Sequence, residues 1–112
     1  MERESMIKRL EREQLDEIMA IWLHTNISAQ SFIDKAYWEE AYDEVRLLLP
    51  SSDIFIYQED DVVKGFIGIT ERFYIAGLFV DVKFQSQGIG KQLINYCKNI
   101  YPRLELDVFV EN

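Results

Sequence analysis

The most informative stretch of the sequence is Leu78-Phe79-Val80-Asp81-Val82-Lys83-Phe84-Gln85-Ser86-Gln87-Gly88-Ile89-Gly90-Lys91. An apolar run typical of a buried strand passes into a polar loop, and the loop leads to two glycines at the start of a helical pattern. Glycines let the backbone bend so that successive N–H groups point the same way, and the positive end of the helix lies beside them. The segment therefore predicts an anion-binding nest suited to a pyrophosphate, with Gln85, Gln87 and Lys91 as additional donors.

Two common phosphate loops do not fit this segment. A Walker loop has four residues between its glycines and then Lys-Ser/Thr, whereas one residue separates Gly88 from Gly90, and Gln92 follows Lys91. A dinucleotide fingerprint requires a third glycine where Leu93 stands. Taken alone, the glycine pair is equally compatible with a tight turn between a strand and a helix.

The first half of the chain is predicted to form one strand and two helices. Met6 to Leu10 mixes apolar and basic residues as a short strand does. Apolar residues at helical spacing predict a helix over about 14–25, and Asp34 is a suitable cap for a second helix that Pro50 ends. The expected buried face of this second helix is Tyr37, Trp38, Ala41, Tyr42, Val45, Leu48 and Leu49.

The second half is predicted to form three strands, a helix and a last strand. The three strands are Ile54–Tyr57, Val62–Thr70 and Phe73–Val82, arranged as an antiparallel meander, with a bulge or close approach suggested by glycines in the second. The third is almost wholly apolar, which predicts a central strand covered on both faces. The buried side of the helix is expected to be Ile89, Leu93, Cys97 and Ile100. Leu104–Val110 alternates strictly and should run parallel to its neighbour through a right-handed crossover.

The predicted fold class is thus a mixed α/β sheet with the element order β-α-α-β-β-β-α-β, in one domain over residues 1–112. Gln85-Ser86-Gln87-Gly88-Ile89-Gly90 resembles the signature Arg/Gln-x-x-Gly-x-Gly/Ala of the GNAT N-acetyltransferases, and the element order resembles theirs too. The ending Val108–Asn112 is similar to the family's fifth strand. A complete member continues with another helix and usually two strands, so the resemblance implies a domain that is incomplete at its C-terminus.

The resemblance implies a coenzyme A site formed by Phe79, Val80, Val82, Gln85, Gln87, Gly88, Ile89, Gly90, Lys91 and Asn112. In this scheme the loop amides bind the pyrophosphate, and the strand before the loop binds the pantetheine. The Val80 amide is the candidate donor to the oxygen that becomes negatively charged, and Glu71 is the candidate general base. Glu105 and Asp107 are further carboxylates on the last strand. For each of these three carboxylates, a solvated position with no catalytic role is the alternative.

The implied function is an N-acetyltransferase that moves an acetyl group from acetyl-CoA to a primary amine by direct attack, without a metal. The acceptor is a small molecule, a peptide or a protein. One alternative is a domain that binds coenzyme A without turnover and acts as a sensor or assembly subunit. The other is a phosphate-binding α/β domain with no acyl chemistry.

The composition restricts the partners. The net charge is −8, from 20 acidic and 12 basic residues, which disfavours nucleic acid and anionic membranes and suits a cationic amine. No apolar run reaches the roughly 20 residues of a membrane span, and Cys97 is the single cysteine, so a cytoplasmic protein is expected. An exposed last strand would favour pairing with a second copy as a homodimer.

Overall fold

In the computed structural model, residues 6–104 are described, and they form a four-stranded sheet with helices on both faces. The strands are β1 (Ile7–Arg9), β2 (Asp53–Glu59), β3 (Val62–Ile69) and β4 (Ile75–Val80). The helices are α1 (Leu15–Ala29), α2 (Lys35–Leu48) and α3 (Ile89–Ile100). Short 3-10 turns occupy Arg12–Gln14, Leu49–Ser51 and Val82–Phe84. The first seven elements of the predicted order are confirmed.

The sheet has the order β1-β2-β3-β4, and all neighbouring strands are antiparallel, as the predicted meander requires. Asp60 and Asp61 join β2 to β3 with φ values of 53° and 63°, the left-handed geometry of a two-residue hairpin turn. The register shifts beside Gly65 and again at Gly68, which confirms the irregularity that these glycines suggested.

Successive side chains along each strand point to opposite faces of the sheet, so the core has two layers. Ile54, Ile56 and Phe66 are buried with α1 on one face. Phe55, Ile67 and Ile69 are buried with α3 on the other face. The N-terminal cap of α2 is confirmed, because the Asp34 carboxylate accepts a hydrogen bond from the main-chain N–H of Ala36 at 3.0 Å. No helix of residues 6–104 is long and apolar enough to cross a membrane.

Within residues 6–104, β4 is less covered than the prediction of a central strand implies, and the predicted strand from position 105 onward lies outside those residues. Among the described strands β4 lies at an edge, and Gly77 to Val80 are only half-buried. The strands covered on both faces are instead β2 and β3, where Ile56, Phe66 and Ile67 are fully buried and Phe55 is 2% exposed. A run of apolar residues indicates that a strand lies in apolar surroundings, but it does not identify which strand is central. The predicted last strand lies outside the described residues from position 105 onward, as does Asn112.

Three helical predictions need correction. In α2, Tyr37 and Leu48 are 59% and 61% exposed, because this helix packs chiefly against α1 and buries a narrower stripe than expected. In α3, Ile100 is 45% exposed, whereas the other members of its predicted buried side are covered. The first helix continues through Ala29 rather than ending near Thr25.

Candidate active site

The loop after β4 is fixed to β3 by its first residues. The Asp81 N–H donates to the Lys64 carbonyl at 2.8 Å, which extends the ladder by one step. The Asp81 carboxylate accepts from the Lys83 N–H at 3.0 Å and closes the 3-10 turn Val82–Phe84. The Lys64 ammonium also lies 4.5 Å from the centroid of the Phe84 ring. These contacts hold the start of the loop in one position relative to the sheet.

The glycine pair begins α3 in the manner that an anion-binding nest requires. Gly88 has φ 80° and ψ 10°, a left-handed conformation that favours glycine, and Ser86 also has a positive φ of 66°. The first N–H groups of a helix have no partner within the helix, so the main-chain donors from Gly88 to Lys91 converge at its positive end. Gln87 and Lys91 are exposed beside them. The structure therefore brings the predicted loop residues together.

Gly90 has a different environment from Gly88. A Cβ atom at position 90 would lie 3.6 Å from a methyl group of Leu78 and 3.8 Å from one of Val80, which is ordinary contact. A Cβ at position 88 would have no heavy atom within 4 Å. Thus Gly88 is needed for its backbone conformation, whereas alanine would fit at position 90.

Gln85 has a role that the sequence did not reveal. Its side-chain amide donates to the carbonyl of Val80 at 3.0 Å, so this amide is directed at β4, contrary to the prediction of a donor within the nest. Because Asp81 bonds to β3, the alternation of an antiparallel ladder turns the Phe79 main chain to β3 as well. The same alternation turns the main chains of Leu78 and Val80 toward the open edge of the described sheet.

A groove of about 240 Å³ lies along this edge. It is lined by Thr25, Asn26, Ala29, Leu78, Phe79, Val80 and Gln85. The contribution of Thr25 and Asn26 to this groove was not predicted from the sequence. Two adjacent polar residues near the end of an otherwise apolar helix were the available signal. Asn26 donates its side-chain N–H to the Trp22 carbonyl at 2.8 Å, which leaves its side-chain oxygen as an acceptor beside the groove.

The order of a strand, a left-handed glycine and a helix start agrees with the family that the sequence matches. Residues 8–110 match the profile of the acetyltransferase (GNAT) domain. The chain belongs to the GNAT family. The peptidyl-lysine N-acetyltransferase YiaC of Escherichia coli K12 is 32% identical over 108 residues, which cover 96% of this chain and 74% of YiaC.

Two solved GNAT structures are similar in fold. The apo-form of YjaB from Escherichia coli has a TM-score of 0.77 and 26% identity, covering 91% of this chain and 69% of the YjaB chain. The PaiA N-acetyltransferase of Thermoplasma acidophilum, solved with coenzyme A, has a TM-score of 0.76 and 18% identity, covering 84% of this chain and 69% of PaiA. Membership of the family identifies the protein as an acyltransferase enzyme, so the alternative of a phosphate-binding domain without acyl chemistry is set aside.

The remaining predicted residues of this GNAT domain lie at separate places. Glu71 is exposed in the turn between β3 and β4, at the end of β4 that is distant from the loop. Val82 is 46% exposed in the 3-10 turn. The ring of Phe79 stacks on Phe66 with centroids 5.2 Å apart, on the face covered by α1.

Cys97 lies in the core rather than in the groove. Cys97 is fully buried in α3, and burial raises the pKa of its thiol to about 11. It is therefore a protonated packing residue at neutral pH. Within residues 6–104, no group of three His, Cys, Asp or Glu side chains is arranged to hold a metal ion.

Proposed function

We propose that this GNAT enzyme transfers the acetyl group of acetyl-CoA to the ε-amino group of a lysine in a peptide or protein. The observation that carries the proposal is the left-handed Gly88 at the start of α3, next to the edge of β4 that is open within residues 6–104. Both YiaC and YjaB are named peptidyl-lysine N-acetyltransferases, and PaiA was solved with coenzyme A. These names support the donor and the acceptor class that we assign.

The proposed binding of acetyl-CoA uses main-chain groups. The N–H groups from Gln87 to Lys91 hold the pyrophosphate, since a helix start favours an anion. The pantetheine lies along the open edge, where Leu78 and Val80 direct their amides. Phe79 contributes only its ring, because its amide is turned to β3. Gln85 supports the site through the Val80 carbonyl rather than by touching the phosphates.

The chemistry is a direct acyl transfer, in which the neutral amine nitrogen bonds to the thioester carbon, the C–S bond breaks, and the leaving thiolate takes up the second proton of the nitrogen as free coenzyme A. The amides of Val80 and Leu78 are the donors available to the carbonyl oxygen as it gains negative charge. Glu71 is the proposed base for the proton of the lysine ammonium. The six residues of β4 span about 17 Å at about 3.4 Å per step, so Glu71 cannot touch a carbonyl held at Val80. In the proposal, Glu71 therefore takes the proton of the lysine through water. The Leu78 amide is the donor that lies nearer to Glu71 than the Val80 amide does.

A lysine on a protein surface suits the open character of this site. The groove beside β4 is small, at about 240 Å³, and lies at an edge rather than in the interior, so one extended side chain can enter while the rest of the acceptor remains outside. The net charge of −8 attracts a lysine-rich acceptor.

The test is an acetylation assay on the complete chain. Acetyl-CoA and an N-terminally blocked peptide containing one lysine are incubated with the enzyme, and both thiol release and the peptide mass are followed. We expect one added acetyl group per peptide and none on a peptide in which arginine replaces the lysine. Because Cys97 is buried with a pKa near 11, a thiol reagent reports released coenzyme A with little background from the protein.

Two variants separate binding from turnover. Glu71→Gln should keep its affinity for acetyl-CoA by calorimetry and lose about 10²-fold in rate if Glu71 is the base. Glu17→Gln, an exposed change of the same kind in the first turn of α1, is the matched control and should behave as wild type. Tight binding of acetyl-CoA with no acetylation of any amine would reject the enzymatic proposal in favour of a sensor or assembly role. A folded protein that does not bind acetyl-CoA would reject the proposed site itself.

A further inference from the structure

The groove beside β4 has two side-chain oxygens that accept no hydrogen bond from the described residues 6–104. The Asn26 side-chain N–H donates to the Trp22 carbonyl at 2.8 Å, and the Gln85 side-chain N–H donates to the Val80 carbonyl at 3.0 Å. Because the nitrogen of each amide faces a carbonyl, its oxygen is fixed as an acceptor. Both residues line the groove, so the groove offers acceptors to a ligand that donates N–H groups.

Asn26 is the acceptor on the α1 side of this groove. Its main-chain carbonyl already accepts the Gln30 N–H at 3.0 Å, so its side-chain oxygen is the free acceptor. The neighbouring Thr25 is buried and donates its hydroxyl to the Ile21 carbonyl at 2.7 Å, which turns that hydrogen into the helix. Asn26 is half-buried, whereas Gln85 is exposed. A hydrogen bond to the Asn26 oxygen is therefore better shielded from water than one to Gln85.

The groove favours a neutral amine over an ammonium ion. Within the described part of the chain, none of its lining residues has a charged side chain, and Ala29 and the Phe79 ring supply apolar surface. The charged residues next to the lining in sequence, His24 and Asp81, do not belong to it. An ammonium that enters this groove loses water without gaining a counter-charge, so its pKa is lowered. Direct acyl transfer needs the neutral amine, because an ammonium has no lone pair.

The two walls of the groove carry complementary groups. The outward main-chain amides of Leu78 and Val80 are donors on the β4 side, and the Asn26 oxygen is an acceptor on the α1 side. An amine between the walls can donate one N–H to Asn26 while its lone pair points to a carbonyl carbon held at β4.

We infer that Asn26 positions the amine of the acceptor lysine by accepting one of its N–H groups from the α1 side of the groove. This inference rests on the proposed transfer to lysine and names the residue that orients the nucleophile. The N–H bonded to Asn26 is retained in the product amide, and the other hydrogen of the neutral amine is the proton that leaves as the N–C bond forms and the C–S bond breaks. A neutral amide oxygen orients the amine without the negative charge that would keep it protonated.

The experiment measures kcat and KM for the one-lysine peptide across pH in Asn26→Ala and Asn26→Asp. Both variants lose the hydrogen bond to the Trp22 carbonyl, so they share its effect on α1 and differ in the group that they offer to the groove. Asn26→Ala should lower kcat by about tenfold, the effect of one hydrogen bond, with the calorimetric affinity for acetyl-CoA unchanged. In Asn26→Asp the carboxylate favours the ammonium form of the bound lysine, so the rise of kcat with pH should shift upward by about one pH unit.

Two more variants separate positioning from stability. Asn26→Ser has a hydroxyl that can donate to the Trp22 carbonyl, as Thr25 donates to Ile21, so it keeps the helix contact and should lose kcat as Asn26→Ala does. Asn99→Asp adds the same charge as Asn26→Asp at an exposed position of α3 outside the groove, and it should keep the wild-type pH profile.

The inference and the proposed function fail in different ways. Equal pH profiles of Asn26→Asp and Asn99→Asp, or wild-type kcat in Asn26→Ser, would overturn the inference and leave the acetyl transfer intact. A loss of acetyl-CoA affinity in Asn26→Ser would also overturn it, because Asn26 would then bind the coenzyme and not the amine. A wild type that acetylates no lysine peptide would reject the proposed function, and this inference with it.

Discussion

Replacing Gly88 by alanine tests whether the left-handed start of α3 holds the coenzyme. Gly88 has φ 80° and ψ 10°, and a Cβ there would meet no heavy atom within 4 Å. The cost of the substitution therefore comes from the backbone conformation alone, about 1–2 kcal/mol for an alanine in this region. In a domain of about 100 residues, each kcal/mol lowers the melting temperature by about 4–8 °C.

The variant has two ways to respond, and both are measurable. If the loop keeps its conformation, the melting temperature falls by the amount given above and the affinity for acetyl-CoA is retained. If Gly88→Ala relaxes to a negative φ, the stability recovers but the loop amides turn away from the pyrophosphate. The affinity for acetyl-CoA should then fall by about tenfold or more, because several hydrogen bonds to a charged group are lost together.

Gly90→Ala is the matched control, two residues further along the chain in the first turn of α3. The new methyl group makes only ordinary contacts with Leu78 and Val80, at 3.6 and 3.8 Å, and it points to the sheet. Stability should be unchanged or higher by up to about 1 kcal/mol, since glycine is a poor helix former. Thermal melting by circular dichroism and calorimetric titration with acetyl-CoA are measured on all three proteins. The reasoning is refuted if Gly88→Ala matches wild type in both measurements, or if Gly90→Ala loses as much affinity as Gly88→Ala.

Three further predictions follow from packing, protonation and capping. Gly65→Ala should destabilise the protein by about 1–3 kcal/mol in denaturant unfolding, because its Cβ would lie 2.9 Å from the Phe79 carbonyl oxygen, whereas Gly68→Ala, with no atom nearer than 3.8 Å, should be nearly neutral. Burial raises the Cys97 pKa from 9.0 to about 11, so the protonated thiol contributes fully to the stability of the fold below pH 9. This contribution to the free energy of unfolding should be lost as the pH rises through about 11. A Cys97→Ala variant should lack that part of the pH dependence. Asp34→Ala should cost about 1 kcal/mol in the same unfolding assay, because its carboxylate accepts a main-chain N–H of α2 at 3.0 Å.

The features that the sequence predicted correctly depend on neighbours along the chain. The helix at Ile89–Ile100 and its preceding loop could be inferred because a glycine pair, a polar stretch and an apolar periodicity stand within one short segment. The cap at Asp34 is also local, since its partner is the main chain two residues later.

The features that were missed depend on residues distant in sequence. The groove joins Asn26, at the end of α1, to Val80 at the end of β4, and no local pattern relates the two. Within residues 6–104, the edge position of β4 depends on which strands pair, whereas its composition indicates only that its neighbours are apolar. Gln85 was read as a donor to an anion because glutamine has that capacity, yet its partner is a carbonyl five residues earlier.

Two hydrogen bonds at the end of β4 allow one short segment to belong to the sheet and also to face the proposed ligand. On one side of the strand, the Asp81 N–H continues the ladder to Lys64 of β3, so the segment is held in register to its last residue. On the other side, the Gln85 amide bonds to the outward Val80 carbonyl and places a side chain across the edge where another strand would otherwise approach. A main-chain acceptor that would favour strand pairing is thereby occupied, while the outward amides of β4 remain directed at the groove. Since these amides are the donors that we propose for acyl transfer, Gln85 would shape that site through β4 and not through the phosphates.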